Sequence, residues 1–437
     1  MKNIRLFQTL TLISLLFLSA CAFGGGFGGG APTRASGPQR LRPPSSENAT
    51  PEPTLPLDTP TPGITPTLGP QVVKITSIHM LNATSGWAIG QVPPSLNDRI
   101  LHTSDDGLTW KDLTPARPSG DQLDLPEQAA TAYFLDDSTA WVTLYDRQTA
   151  TESTPVIVWR TTNGGQTWLS SQPLNTANIP QSFFSPTQIG FSDAKNGWLL
   201  AHLGRELAHD YVAIFTSSDG GQTWNRVVDP AQDNLDMSCN KNGVTFLDGT
   251  AAWVAGDCSG VENSLYLFFS GDGGKSWKPA NLTYPPGYSN VFQFSTTACN
   301  ANTPSFLDAK NGFMTVYCMF ADSGQPKAWI YLTSNGGASW FPHNLPTPYG
   351  TVDFVNPKVG WWLGSKLADT TTGLTFYHTP DGGYTWNQIS TVDWTGVPDF
   401  LDVNTGWVVA TTGQDTSVLR TSDGGKTWSP LEAMLVH

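Results

Sequence analysis

The sequence feature that most constrains the fold is an eight-residue motif that occurs seven times. Its pattern is Ser or Thr, any residue, Asp or Asn, any residue, Gly, two further residues and Trp. We call the copies the turn motifs, and they span residues 103–110, 161–168, 217–224, 270–277, 333–340, 379–386 and 421–428. A pattern repeated this often indicates a unit of architecture and not a catalytic site.

The residue types of the motif predict a tight turn between two strands. Asp and Asn side chains hydrogen-bond nearby backbone amides, and Gly adopts the positive φ that a sharp reversal needs. The closing Ser or Thr and Trp suit the start of a strand. The residues with this structural role are Asp105, Asn163, Asp219, Asp272, Asn335, Asp381 and Asp423. Calcium binding or acid/base catalysis by these side chains is the alternative, but Asn cannot replace a catalytic carboxylate.

A second landmark precedes each turn motif, and it consists of Gly or Ala followed by an aromatic residue. The landmark aromatics are Trp87, Trp141, Trp198, Trp253, Phe313, Trp361 and Trp407. Six of them follow a Phe by seven residues, namely Phe134, Phe191, Phe246, Phe306, Phe354 and Phe400, and Met80 holds that place in the first unit. We number the units repeat 1 to repeat 7. Each is predicted to contain four strands, A to D, with the turn motif between C and D.

Four antiparallel strands repeated every ~50 residues are typical of a β-propeller. Equivalent aromatic residues in every unit fit this fold, because each blade buries the same positions against its neighbours. We therefore predict that residues 71–437 form an all-β, single seven-bladed β-propeller with four antiparallel strands per blade. All turn motifs should lie on one face of it.

The N-terminal segment predicts export. Lys2 and Arg5 precede an apolar run that ends in Leu18-Ser19-Ala20-Cys21, so residues 1–20 have the features of a signal peptide. The small residues before Cys21 resemble the lipobox of bacterial lipoproteins. The resemblance implies cleavage before Cys21, attachment of a lipid to its sulfur, and anchoring on the outer side of a bacterial membrane. Residues 21–70 are rich in Gly, Pro and Thr, and are predicted to be a disordered linker.

The turn motifs, together with the Phe and Gly-Trp landmarks, resemble those of BNR/Asp-box propellers. The nearest subgroup is that of photosystem II assembly and stability factors. The resemblance covers residues 71–437 and implies the propeller fold. Sialidases, xyloglucanases, sortilin-type receptors and assembly factors all use such propellers, so the fold alone does not define the function.

The charge of residues 71–437 restricts the partners, because 18 Lys and Arg stand against 33 Asp and Glu. Such a domain is not expected to bind nucleic acid, or to contact a membrane other than through its lipid anchor. We find no catalytic triad, zinc-ligand spacing or phosphate-binding loop, and expect no cofactor and no metal. We expect a non-catalytic, membrane-anchored monomer that acts at the cell surface as a protein-binding scaffold or assembly factor. The alternatives are a glycan-binding module and a glycoside hydrolase, sialidase-like or xyloglucanase-like, that uses paired carboxylates in the central funnel.

The four remaining cysteines are predicted to form two disulfides. Cys239 lies 14 residues before the landmark aromatic of repeat 4 and Cys258 lies five after it, and Cys299 and Cys318 have the same offsets in repeat 5. Antiparallel strands A and B bring each pair together, and an exported protein meets oxidising conditions. A metal site shared by all four cysteines is the alternative.

Loop lengths predict the binding face. Variation in spacing falls in the B–C and D–A connections, which share the face opposite the turn motifs, and the long connections precede repeats 2 to 5. Functional residues are concentrated on loops held by a rigid scaffold. The candidate binding residues on this face are Tyr145, Arg147, Arg205, His209, Tyr211, Tyr284, Tyr288, Phe320 and Trp329. Solvated loops without function are the alternative.

Overall fold

The computed structural model describes residues 71–116, 128–146, 155–177, 184–206, 209–258, 265–292, 297–320, 323–368 and 373–436. The regular elements of these ranges are 31 β-strands, with no helix among them. Residues 1–70, with the predicted signal peptide, Cys21 and the linker, lie outside the described residues.

The strands follow the repeats in chain order. Repeat 1 contains β1 (Gln71–Val72), β2 (Lys74–Met80), β3 (Gly86–Gln91), β4 (Asp98–Thr103) and β5 (Thr109–Asp112). Repeat 2 contains β6 (Gln128–Phe134), β7 (Ala140–Asp146), β8 (Val158–Thr161) and β9 (Leu169–Ser170). Repeat 3 contains β10 (Ser185–Phe191), β11 (Gly197–Glu206), β12 (His209–Ser217) and β13 (Asn225–Val228). Repeat 4 contains β14 (Asn240–Phe246), β15 (Ala252–Asp257), β16 (Tyr266–Ser270) and β17 (Lys278–Pro279).

The remaining repeats have the same plan. Repeat 5 contains β18 (Thr297–Ala301), β19 (Ser305–Phe306), β20 (Gly312–Phe320), β21 (Pro326–Thr333) and β22 (Phe341–Asn344). Repeat 6 contains β23 (Tyr349–Phe354), β24 (Gly360–Ser365), β25 (Leu374–Thr379) and β26 (Asn387–Val392). Repeat 7 contains β27 (Pro398–Phe400), β28 (Gly406–Thr412), β29 (Asp415–Thr421) and β30 (Ser429–Leu431), and β31 (Met434–Val436) follows it.

Each repeat pairs its strands in the order A, B, C, D, and neighbouring strands are antiparallel. The described strands make six hydrogen-bonded sheets, because the pair Asp257 and Asn300 joins repeats 4 and 5 into one. In repeat 5, strand A is divided into β18 and β19, and both pair with β20. These sheets confirm the predicted all-β propeller class.

The C-terminal strand adds a contact that the repeat pattern did not predict. Strand β31 pairs in parallel with β5 and antiparallel with β1, so the end of the chain joins the sheet of repeat 1. Its Leu435 is buried with Trp110 and Trp407 in one core cluster. The first and last repeats are thereby held together.

Landmark aromatics fill the contacts between successive repeats, which we call seams. The landmark of each repeat packs on the Phe of the next repeat in all six pairs, with ring centroids 3.6 to 5.5 Å apart. The pair Trp361 and Phe400 is stacked at 3.6 Å, and both rings are buried. Such aromatic pairs contribute about 0.5–1.5 kcal/mol beyond the burial of their surface.

The turn motifs have the hydrogen bonds that their sequence predicts. In repeat 3, Asp219 accepts bonds from the backbone N–H of Thr223 at 3.0 Å and from its hydroxyl at 2.6 Å. Asn163 accepts the equivalent N–H bond from Thr167 in repeat 2. The fourth residue of every motif also donates its N–H to the A–B turn of the same repeat. The two turns of each repeat therefore lie at one end of its sheet.

Candidate functional site

Two hairpins with the longest paired strands of the described chain lie at the end of the sheets opposite the turn motifs. The repeat 3 hairpin is β11–β12, with strands of ten and nine residues that pair as far as Glu206 and His209. The repeat 5 hairpin is β20–β21, with strands of nine and eight residues that pair as far as Met319 and Pro326. Seven of the nine candidate binding residues lie on these hairpins or on the segment beside the second.

The repeat 3 hairpin brings three candidates together. Arg205 and His209 are exposed, and Tyr211 is half-buried. The rings of His209 and Tyr211 are nearly parallel, with centroids 6.0 Å apart. A β-bulge lies between His202 and Gly204, where Gly204 has a φ of 122° that other residues rarely adopt. Residues 197–201 of β11 are buried, whereas Arg205 and Glu206 beyond the bulge are exposed.

Asp210 stabilises the base of this hairpin, and its side chain is fully buried. One carboxylate oxygen lies 2.9 Å from His202 Nδ1 and 3.4 Å from Arg205 Nε. The other accepts the backbone N–H of Lys241, in strand A of repeat 4, at 2.8 Å. A buried carboxylate needs such partners, because losing its water is costly. Asp210 therefore joins the hairpin to the next repeat.

Lys241 is the second buried charge, with only 2% of its surface exposed. Its ammonium group donates to the backbone carbonyls of Asp210 at 3.0 Å, Ser238 at 2.8 Å and Cys239 at 3.2 Å. It also lies over the ring of Tyr266, 5.0 Å from the centroid. All of these partners surround the base of the repeat 3 hairpin.

Burial by itself shifts the pKa values of Asp210 and Lys241 in opposite directions, because it disfavours the charged form of each group. Loss of water lowers the pKa of Lys241 to about 7, although the negative charges of Asp210 and Asp236 oppose this change. Burial alone would raise the pKa of Asp210. Hydrogen bonds from His202 and Lys241, with the charges of His202 and Arg205, outweigh it, and the pKa of Asp210 is lowered. At neutral pH, Asp210 is therefore charged and Lys241 is close to its midpoint of titration.

Both predicted disulfides are confirmed. Cys239 is bonded to Cys258 and Cys299 to Cys318, each across strands A and B of one repeat. Cys239 of the first disulfide directly precedes strand β14, which contains Lys241. The segment before it contacts the hairpin, since Asp210 donates its backbone N–H to the carbonyl of Met237 at 2.9 Å. The sulfur bridge thus fixes the chain against the repeat 3 hairpin.

A second group of candidates lies beside the repeat 5 hairpin. The ring of Tyr288 is 5.4 Å from that of Phe320, and the ammonium of Lys327 lies 5.5 Å from the Tyr288 centroid. Tyr284 is 46% exposed and stacks on Phe292 at 5.6 Å. This group is mainly apolar, with one cation at its edge.

Trp329 was wrongly predicted to belong to the binding face. It is 1% exposed and lies in the core cluster of repeats 4 and 5. Strand β21 is buried on both faces over residues 328–331, so even a residue near its start points into the core. The ring of Tyr288 covers it at a centroid distance of 5.3 Å. Tyr145 is half-buried near the end of β7, and Arg147 lies outside the described residues.

Sequence reasoning missed the buried charges that brace the hairpin. His202, Asp210 and Lys241 belong to three strands of two repeats, and no fixed spacing relates them. The one available signal is Lys241 itself, a charged residue near the start of a predicted inner strand and two positions after Cys239. That signal indicates a buried lysine without indicating its partner.

Within the described ranges, no group of three or more His, Cys, Asp or Glu side chains is arranged to hold a metal ion. The same ranges contain no helix long and apolar enough to cross a membrane.

Comparison with known proteins agrees with the fold. Residues 95–281, which are less than half of the chain, match the family model described as the DUF6242 beta propeller domain. The geometry and this match together define the chain as a β-propeller protein. No curated protein sequence matches it significantly.

Solved structures similar to this chain include proteins with different names and activities. YCF48 from Cyanidioschyzon merolae is 16% identical, with a TM-score of 0.43, over 83% of this chain and 98% of that one. The GH74 xyloglucanase from Xanthomonas campestris is 14% identical, with a TM-score of 0.47, over 84% of this chain and 54% of that one. A PL25 ulvan lyase is 14% identical, with a TM-score of 0.46, over 84% and 95%.

Proposed function

We propose that this chain is a non-catalytic, exported propeller that binds a protein partner through the face opposite its turn motifs, as a scaffold or assembly factor. The observation that carries the proposal is the repeat 3 hairpin. It presents the exposed side chains of Arg205 and His209, while Asp210 beneath them is fully buried and bonded to the next repeat. A hairpin fixed in this way presents its side chains to a partner with little loss of conformational freedom on binding.

The buried charges support binding better than catalysis. Asp210 is occupied by His202, Arg205 and the N–H of Lys241. The ammonium of Lys241 is occupied by three carbonyls, so neither group is directed at a substrate. Buried ion pairs often add little net stability and are used to define one conformation. We infer that this cluster sets the position of the hairpin.

Two carboxylates of the innermost strand position, strand A, also have structural partners, which bears on the glycoside hydrolase alternative. Asp353 and Asp399 lie in strand A of repeats 6 and 7. Asp353 accepts the backbone N–H of Phe400 at 2.8 Å, and Asp399 accepts that of Met80 at 3.0 Å. Each carboxylate thus joins its repeat to the next. This use favours a non-catalytic propeller.

The remaining parts of the proposal concern the blade number and the location. We propose that the seven repeats are seven blades, since each supplies four paired strands. We further propose that Cys21 carries the lipid anchor and that residues 21–70 extend the propeller from the outer side of a bacterial membrane. The two disulfides fit an oxidising, extracytoplasmic compartment.

A matched pair of charge reversals tests the binding face. Arg205→Glu changes the repeat 3 hairpin, and Lys426→Glu changes an exposed position of the last turn motif. Each protein is purified from solubilised membranes, and the partners that co-purify are quantified by mass spectrometry. We expect Arg205→Glu to lower recovery of the main protein partner at least tenfold, with Lys426→Glu unchanged. Equal recovery with both variants, or loss only with Lys426→Glu, would reject the proposal.

A further inference from the structure

Arg160, in strand C of repeat 2, is the exception among the arginines of the described chain. The others each form an ion pair with an Asp, at 2.9 to 3.6 Å, and they are Arg99, Arg205, Arg226 and Arg420. Arg160 forms no ion pair or hydrogen bond with any described residue, and its Nε is buried without a partner. Residues 71–437 contain 18 Lys and Arg against 33 Asp and Glu, and yet this cation is left without an acid.

Arg420 in repeat 7 shows what completes such a position. Both arginines pair with a landmark Trp across strands B and C, and the guanidinium carbon of each lies 5.6 Å from the centroid of that ring. The Nε of Arg420 contacts the carboxylate of Asp106, in the turn motif of repeat 1, at 2.9 and 3.0 Å. A carboxylate is therefore the group that this arrangement holds.

The acid is missing at Arg160 because the equivalent motif residue is Gly220. Asp106 and Gly220 are both fourth in their turn motifs, with φ values of 71° and 76°. Each donates its N–H to a carbonyl of the A–B turn, that of Thr84 at 2.8 Å and that of Lys195 at 2.9 Å. A Cβ on Gly220 would lie 2.7 Å from Nη1 of Arg160. The guanidinium thus lies where an acidic side chain would have met it.

The neighbouring groups do not compensate the charge. Asp193, in the A–B turn of repeat 3, accepts the backbone N–H of Lys195 at 2.7 Å. Asp219 is bonded within its own turn motif. The side chain of Lys195 is exposed and adds a second positive charge. Nη1 and Nη2 of Arg160 also lack partners but, unlike Nε, they are open to solvent, so an anion can reach them without entering a cavity.

We propose that Nη1 and Nη2 of Arg160 bind the carboxylate of a small organic acid or sugar acid, which takes the role that Asp106 has for Arg420. Guanidinium and carboxylate groups match in geometry and form two parallel N–H···O bonds. The site lies on the turn-motif side, at the seam between repeats 2 and 3, and is independent of the partner-binding face proposed above.

Substitutions at one motif position test the site in both directions. Gly220→Asp supplies the acid within the chain, at a φ close to that of Asp106. Gly424→Asp is the matched control, because it adds the same side chain at the same motif position, in the seam where His378 replaces the arginine. A Cβ would meet a backbone oxygen at 2.9 Å in the first and 2.8 Å in the second. Asp106→Gly removes the acid from Arg420 and should create a second site.

The probes are sodium acetate and sodium D-glucuronate, with acetamide and D-glucose as neutral counterparts, all titrated at constant ionic strength set with sodium chloride. Binding is followed by NMR through the indole N–H of Trp141. This group donates to the carbonyl of Gly220 at 2.8 Å, and its ring lies beside the guanidinium of Arg160. Thermal unfolding of every variant checks that it is folded.

We expect a saturable shift of the Trp141 signal with at least one of the two carboxylates and none with the neutral molecules. Kd should rise at least tenfold in Gly220→Asp and in Arg160→Gln, and should stay within twofold in Gly424→Asp. In Asp106→Gly, a second saturable shift should appear at the indole of Trp407, the ring that Arg420 covers. A shift with glucuronate alone assigns the site to sugar acids, and equal affinity for acetate assigns it to the carboxylate as such.

The absence of a saturable shift with both carboxylates, or binding of a neutral molecule as tightly as its acid, would overturn the proposal. Equal weakening in Gly220→Asp and Gly424→Asp would do the same. An unchanged Trp407 signal in folded Asp106→Gly would contradict the comparison with Arg420. If Gly220→Asp is unfolded, Arg160→Gln decides alone, because it leaves the backbone of the turn unchanged.

Discussion

Replacing Asp210 with Asn removes one charge from the base of the repeat 3 hairpin and keeps the shape of the side chain. The amide has one acceptor oxygen, whereas the carboxylate serves His202, Arg205 and the N–H of Lys241. If the amide oxygen keeps the N–H of Lys241, the amide N–H faces His202 Nδ1 and Arg205, and the negative charge that both groups contact is lost. Removing one member of a buried charge cluster costs about 3–5 kcal/mol. That is a large fraction of the roughly 5–15 kcal/mol that stabilises most domains.

The chain supplies a matched control for this substitution. Asp219 is in a turn motif, and two equivalent positions already have Asn with the same backbone hydrogen bond, as at Asn163. We therefore expect Asp219→Asn to change stability by less than about 0.5 kcal/mol, as for most surface substitutions.

Urea unfolding at pH 7 compares the two variants, with free energies taken from the midpoint and slope. A loss below about 1 kcal/mol for Asp210→Asn, or equal losses for both variants, would refute the reasoning from buried charge.

Three further predictions concern charge, covalent bonds and anchoring. The pKa of Lys241 in the folded protein, about 7, lies below its value in the unfolded chain. At a pH between these two pKa values, the unfolded chain therefore binds one more proton than the folded protein. Stability should rise by up to ~1.4 kcal/mol per pH unit above pH 7, and Lys241→Met should lack this rise in urea unfolding at pH 7 and 9. Replacing Cys239 and Cys258 by Ala opens a link with a sequence separation of 19, and calorimetry should show a loss of about 3 kcal/mol; a loss under 1 kcal/mol would contradict it. Cys21→Ser should move the protein from the membrane pellet to the soluble fraction, and unchanged retention would exclude the anchor.

The parts of the fold that sequence predicted are those with a local cause. The turn motifs carry their hydrogen-bond partners within eight residues, so pattern alone identified them, as Asp219 and Thr223 illustrate. The landmark pairs were found because every repeat places the same residue types at the same offsets. The pairing of Cys239 with Cys258 followed from those offsets.

The parts that sequence did not predict depend on contacts between distant strands. Trp329 is an aromatic residue of the type often found in binding sites, but it is buried because β21 is covered on both faces. No pattern within that strand indicates that both faces are covered. Strand β31 matches no repeat position, and its pairing with β1 and β5 depends on where the ends of the chain meet. The bond from Lys241 to Asp210 joins residues 31 positions apart.

The measurement that tests the central claim most directly is site-specific photocrosslinking in intact cells. One protein carries p-benzoylphenylalanine in place of His209, on the repeat 3 hairpin, and another carries it in place of Tyr384, which is 67% exposed in a turn motif. Both proteins must reach the membrane in equal amounts and melt at the same temperature. The account predicts a single protein adduct at position 209 and none at 384. An adduct at 384 with none at 209 would show that the partner binds the opposite face.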